Sequence, residues 1–216
     1  MDQVERNGGT AGLILGVLLA LLFIMFLALG MDAMSEDPAT SLVATARKWP
    51  MYAAVSLVGV LATGFAVPFV VGIAARLRDP APTRARALLY LTLIGLAAYG
   101  LGSIVMWIGG NKVVLYAAKD QTGAVTMWLA LRAVTDSLSF AGSAFTGAGA
   151  AVAGWAIVTT RAMGMGVGWV GIGAGFLSML SLLAPSAFVI GLGGFFLTII
   201  WALWAGSALR QPRRTV

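Results

Sequence analysis

The stretch TAGLILGVLLALLFIMFLALG, residues 10–30, carries no charge and a single hydroxyl, at Thr10. Crossing the hydrocarbon core of a bilayer takes about 20 apolar helical residues, so this one run reads as a complete membrane helix. Five comparable runs follow at residues 51–74, 87–108, 137–159, 165–183 and 186–209. None alternates polar with apolar residues, and each is about twice the length of a barrel strand. The expected fold is all-α: a polytopic transmembrane helical bundle of six spans, forming one domain over residues 1–216.

The composition agrees with this reading, at 60% hydrophobic and 10% charged residues with a mean hydropathy of +0.93. Ala28-Leu29-Gly30 loosely resembles a signal cleavage site. The run before it is too long for a signal core, however, and is preceded by Asp2 and Glu5 beside Arg6, so a retained first membrane helix is expected. The net charge is +6. In a membrane protein such an excess bears on orientation, and no nucleic-acid partner is expected. Six spans place both termini and the 2/3 and 4/5 connections on one side, with nine of the 14 basic residues: Arg6, Arg76, Arg78, Arg84, Arg86, Arg161, Arg210, Arg213 and Arg214. Positive charge stays in the cytoplasm, so both termini are expected there, in a bacterial inner membrane. Trp49, Tyr52 and Trp107 then mark the outer interface, and Trp155, Trp169, Trp201 and Trp204 the inner one.

Between the first two runs, Asp37 can cap a helix, Pro38 suits its first position, Arg47 and Lys48 suit its C-terminus, and Pro50 can stop it. A short interfacial outer helix is expected there. Gly109-Gly110-Asn111-Lys112 reads as a break after the third run. Residues 111–131 then lie at the interface, re-enter the membrane or extend the fourth span outward. Pro68 is expected to kink the second span, and Ala184-Pro185-Ser186 to form a tight hairpin. The basic stretch 76–86 reads as a turn facing anionic lipid.

Small residues mark packing faces. Gly142, Thr146, Ala150 and Gly154 recur at four-residue steps, and Gly164 with Gly168 and Gly171 with Gly175 form two more such pairs. In lipid, helices associate through close backbone approach and van der Waals packing, so spans 4 to 6 are expected to be the tightest part of the bundle. The same faces suit a second copy of the chain or another membrane protein, alongside membrane lipid.

The chain has no histidine and no cysteine. This excludes imidazole proton relays, Ser-His dyads, His-ligated haem, thiol nucleophiles and iron–sulfur ligation. Residues 166–171 match GxGxxG but lie within an apolar helix, without the strand and acidic partner a dinucleotide site needs. Asp32, Glu36, Asp37 and Asp120 read as solvated loop acids, and Met31, Met34, Met163 and Met165 as packing. No catalytic, metal or cofactor residue is assigned, and no cofactor is expected. The candidate polar site is Arg132 with Asp136, four residues apart on one helical face. Ser139 and Ser143 follow, with Ser137 and Thr146, as a ladder that forms a polar path only if it converges with Ser103 and Tyr99 of span 3.

The chain resembles six-span bacterial inner-membrane proteins of a domain-of-unknown-function type. The likeness lies in the Asp37-Pro38-Ala39-Thr40 segment, the basic 2/3 turn and Gly109-Gly110, and it implies architecture only. Function is expected to be that of a membrane subunit or scaffold rather than an enzyme. A small transporter or channel with its polar site at Arg132 and Asp136 is the alternative, and an enzyme acting on lipids ranks below both.

Overall fold

The computed structural model describes residues 2–183 and 188–212. Seven α-helices account for most of them: α1 (Gln3–Leu29), α2 (Pro38–Arg47), α3 (Trp49–Leu77), α4 (Pro82–Ala117), α5 (Gln121–Thr160), α6 (Met165–Leu183) and α7 (Phe188–Leu209). A 3₁₀ turn, Met31–Met34, lies between α1 and α2. Five helices are long and apolar enough to cross a membrane: α1, α3, α4, α5 and the Ile190–Leu209 part of α7. The chain is a helical membrane bundle. The expected hairpin at residues 184–186 lies outside the described residues.

Local chemistry sets the helix ends. Asp2 caps α1 by accepting from the Val4 N–H at 3.2 Å, and the chain leaves α1 through Gly30 at φ +87°, a conformation that favours glycine. The open carbonyls at that end are met from outside the helix, where Lys48 Nζ donates to Ala28 O at 3.0 Å and Leu29 O at 2.8 Å. Asp37 caps α2 by accepting from the Ala39 and Thr40 N–H groups, with Pro38 in the first turn. Pro50 does not simply stop α2. It lies in the first turn of α3, where its missing N–H has no helical partner to lose.

The break expected at Gly109-Gly110 is absent, and residues 111–131 are helical except for a short turn at 118–120. The helix α4 continues to Ala117, and α5 begins four residues later, so the helices of the third and fourth spans are both extended. The cap of α5 is Asp120, whose carboxylate accepts from the Gly123 N–H at 2.9 Å, so this acid is structural rather than merely solvated. Here the glycines serve packing: a Cβ on Gly109 would lie 2.8 Å from a Leu131 methyl, and one on Gly110 2.8 Å from the Trp49 ring. Close lateral contact offsets the weak helix propensity of glycine. Pro68 lies inside α3, which continues as one helix from Trp49 to Leu77.

The six long helices form a ring in chain order. Each packs on its sequence neighbours among α1, α3, α4, α5, α6 and α7, and α7 packs back on α1, while contacts across the ring are slight. Helix α2 lies apart, against the 3₁₀ turn, α5 and α3. Tight glycine contacts occur outside spans 4 to 6 as well. A Cβ on Gly8 of α1 would lie 2.6 Å from the Gly72 Cα, as close as one on Gly154 would lie to Gly168 O, at 2.5 Å.

Candidate functional site

Four-residue steps do not keep one face of an α-helix. At 3.6 residues per turn, the 12 residues from Gly142 to Gly154 drift by about 120° around the axis. The small stripe of α5 therefore splits. Gly142 packs on Tyr99 and Thr146 on Gly95, both of α4, whereas Gly154 meets Gly168 and Ile172 of α6. A seven-residue step keeps register better, and two such seams flank the helix: Gly142 with Gly149 toward α4, and Gly147 with Gly154 toward α6. Gly175 packs on Gly147 and Ala151, and Gly171 on Trp201. Gly164 is not a packing residue. It precedes α6, is exposed, and a side chain there would meet nothing within 4 Å.

Between its two seams α5 turns a third face inward, and the ring surrounds a partly open cavity of about 560 Å³ lined by all six long helices. On α5 this face runs from Arg132 through Asp136, Ser139, Ser143 and Thr146 to Ala150, about 27 Å along the axis at 1.5 Å per residue. Ser139 and Ser143 do converge with Ser103 and Tyr99 in the cavity wall, and the Tyr99 and Ser143 hydroxyls lie 2.6 Å apart in a hydrogen bond. Ser137 is not part of this wall; it is exposed and donates to Ala133 O at 2.7 Å.

The wall is less polar than its residue types suggest. Ser56, Thr63, Thr135, Thr146 and Thr198 each turn the hydroxyl back onto the carbonyl four residues earlier, at 2.7–3.3 Å. Their protons are thereby used within their own helices, and the cavity meets mostly carbon.

Charge is confined to one end. Arg132 and Asp136 are the charged residues of the lining, and their side chains are 24% and 55% exposed. Arg132 Nε lies 3.9 Å from Asp136 Oδ2, beyond hydrogen-bond reach. The firmer contacts of the guanidinium are with the segment around α2, where Nη1 donates to Ser35 O at 2.7 Å and Ser41 Oγ at 3.2 Å. Ser41 is a hub: it also accepts from the buried Trp128 indole at 3.2 Å and donates to Ala33 O at 3.0 Å. Arg132 and Trp128 thus fix the short α2 segment over this end.

The opposite end is closed. The rings of Phe69 and Trp201 meet edge to face, with centroids 5.4 Å apart. Beyond them Ile73, Leu77, Leu88, Ile157 and Leu209 are fully buried. Trp201 is therefore no interfacial anchor, being 5% exposed, unlike Trp155, Trp169 and Trp204. At this end Arg76, expected in a basic turn toward lipid, is buried instead. Its Nε donates to Glu5 Oε2 at 2.7 Å, and Nη2 donates to Leu209 O at 3.3 Å and Gln211 O at 2.9 Å. One guanidinium thus joins α1, α3 and the end of α7. Nothing local announces the pair, since its members lie 71 positions apart. The one signal was a glutamate one turn before the Gly8-Gly9 pair and Gly12 of α1.

No family model, curated protein or solved structure matches the chain.

Proposed function

We propose that the protein is a small six-span membrane carrier that binds its solute in the central cavity and takes it up from the Arg132 end. The observation that carries this reading is the 560 Å³ cavity lined by six helices, a size typical of sites for one small organic molecule. A scaffold held together by small-residue faces has no need of such a space, and closing it would add packing contacts. The asymmetry of the ring supports a carrier over an open channel, because charged residues stand at one end and a packed aromatic and aliphatic layer at the other. In this reading α6 is the fifth of six spans and α2 is the short outer helix. The excess of arginine at the closed end supports a cytoplasmic position for that end, and the resemblance to six-span bacterial proteins favours the inner membrane.

The native absence of cysteine makes the test direct. Ser139→Cys lies on the cavity wall and Leu101→Cys on the outward, exposed surface of α4. In intact spheroplasts a membrane-impermeant maleimide is expected to label Ser139→Cys from the outside and to leave Leu101→Cys, buried in lipid, unlabelled. No labelling of Ser139→Cys unless the membrane is opened would overturn access from that side.

A further inference from the structure

Resting on the carrier reading, we infer that the cavity takes one single-chain zwitterionic amphiphile of the lysophospholipid class, with its head group between Arg132 and Asp136 and its acyl chain along the shaft toward Trp201. The distribution of polarity argues for an amphiphile. Both charges of the lining lie at one end, and Thr63, Thr146 and Thr198 along the shaft have their hydroxyl protons turned onto their own backbones. A compact polar solute would lose its water in that shaft and meet there few unpartnered groups, among them Thr92 Oγ1 and the Trp201 indole N–H. An acyl chain passing from the bilayer into a wall of leucine, phenylalanine and tryptophan exchanges one apolar surrounding for another, so the head group decides selection.

The dimensions argue for one chain. The wall from Arg132 to Ala150 is about 27 Å long, enough to take a lipid chain, which occupies a hydrocarbon half-layer of about 15 Å, below a head group at Arg132. The volume of about 560 Å³ holds roughly 19 groups the size of a water molecule, comparable to the carbons of one long chain and short of two.

The geometry of the charges argues for a zwitterion. Arg132 is held by Ser35 and Ser41 through Nη1, and its Nε stands 3.9 Å from Asp136. Cation and anion are therefore presented side by side instead of closing on each other. A phosphate can accept from the guanidinium while an ammonium donates to the carboxylate. A purely anionic head would face Asp136, and a purely cationic head would face Arg132.

The test uses the full chain in phosphatidylcholine nanodiscs with three photoprobes of equal chain length, each carrying a diazirine at the chain tip: a lysophosphatidylethanolamine, a fatty acid and an alkylamine. The lysophospholipid is expected to label Phe69, Phe195 or Trp201 in preference to the other two. Arg132→Gln and Asp136→Asn are each expected to lower that labelling about tenfold, the effect of losing one charge-assisted hydrogen bond. Arg132→Lys keeps the charge and is expected to retain most of the labelling, which separates recognition from any loosening of the α2 segment. Equal labelling by all three probes, or labelling indifferent to Arg132→Gln and Asp136→Asn, would overturn the inference. If that indifferent labelling disappears in the cavity-filling Ala150→Trp variant, the carrier reading survives. If label appears only on outward residues such as Leu101 and Phe176, and the Ser139→Cys variant stays unreactive, both readings fall.

Discussion

Arg76 is the residue on which the closed end turns. It is 4% exposed, and its partner Glu5 is fully buried. Removing one member of a buried ion pair typically costs about 3–5 kcal/mol, because the other charge loses its compensation. Arg76→Met is expected to destabilise the fold by about that amount, and adding Glu5→Gln should return part of the loss. Arg78→Met, two positions away and exposed, should change stability by less than about 0.5 kcal/mol. Thermal denaturation in detergent of the three variants checks the order. Asp37 offers a second measurement at this scale. The Thr40 hydroxyl, then the Thr40 N–H, hold its carboxyl below the usual range. A folded pKa below the unfolded one means that the cap stabilises α2 above the unfolded value and loses that contribution as pH falls through the folded one. Hydrogen exchange in α2 should therefore lose protection below about pH 4 and hold steady above it, and Asp37→Asn should abolish this dependence. Asp37 and Pro38 could be read from sequence because a cap acts over three residues. Glu5 with Arg76 could not, because only the ring brings them together.

At the scale of the element, apolar length was the reliable signal, since the cost of an unpaired backbone in lipid makes each long apolar run helical. Glycine was ambiguous, because its low helix propensity and its value in close packing predict opposite outcomes. Gly109-Gly110 reads as a break and is instead a contact with Leu131 and Trp49. The drift of the α5 stripe is likewise hidden until the helix has neighbours, and the cavity face lies in the angle between its two seams. Two helical glycines separate the roles. A Cβ at Gly8 would strike the backbone of Gly72 and Pro68, whereas one at Gly64 would meet nothing within 4 Å. Gly8→Ala should force α1 from α3 and destabilise the fold by more than about 1 kcal/mol. Gly64→Ala should be neutral or stabilising by up to about 1 kcal/mol. Urea or heat titration of both variants tests the distinction.

At the scale of the whole molecule, the sequence announces that helices cross a membrane but not how they are arranged around a space. Arg132 and Asp136 could be picked out as a polar pair from their spacing. Their place at the head of a shaft between the helices, with Trp201 near its closed end, depends on all six helices meeting in order. Closure has a topological consequence. The ring sets α7 beside α1, and an even number of up-and-down helices puts the end of α7 on the same side as the start of α1, where Arg76 touches both Glu5 and Gln211. The order of the ring is then independent of where the polypeptide is cut. A circular permutant that joins residues 3 and 212 by a short glycine-serine linker and opens the chain at Lys119, in the exposed turn between α4 and α5, should assemble the same cyclic arrangement. Impermeant labelling of Ser139→Cys in that permutant, equal to labelling in the native order, would be the sign that it has.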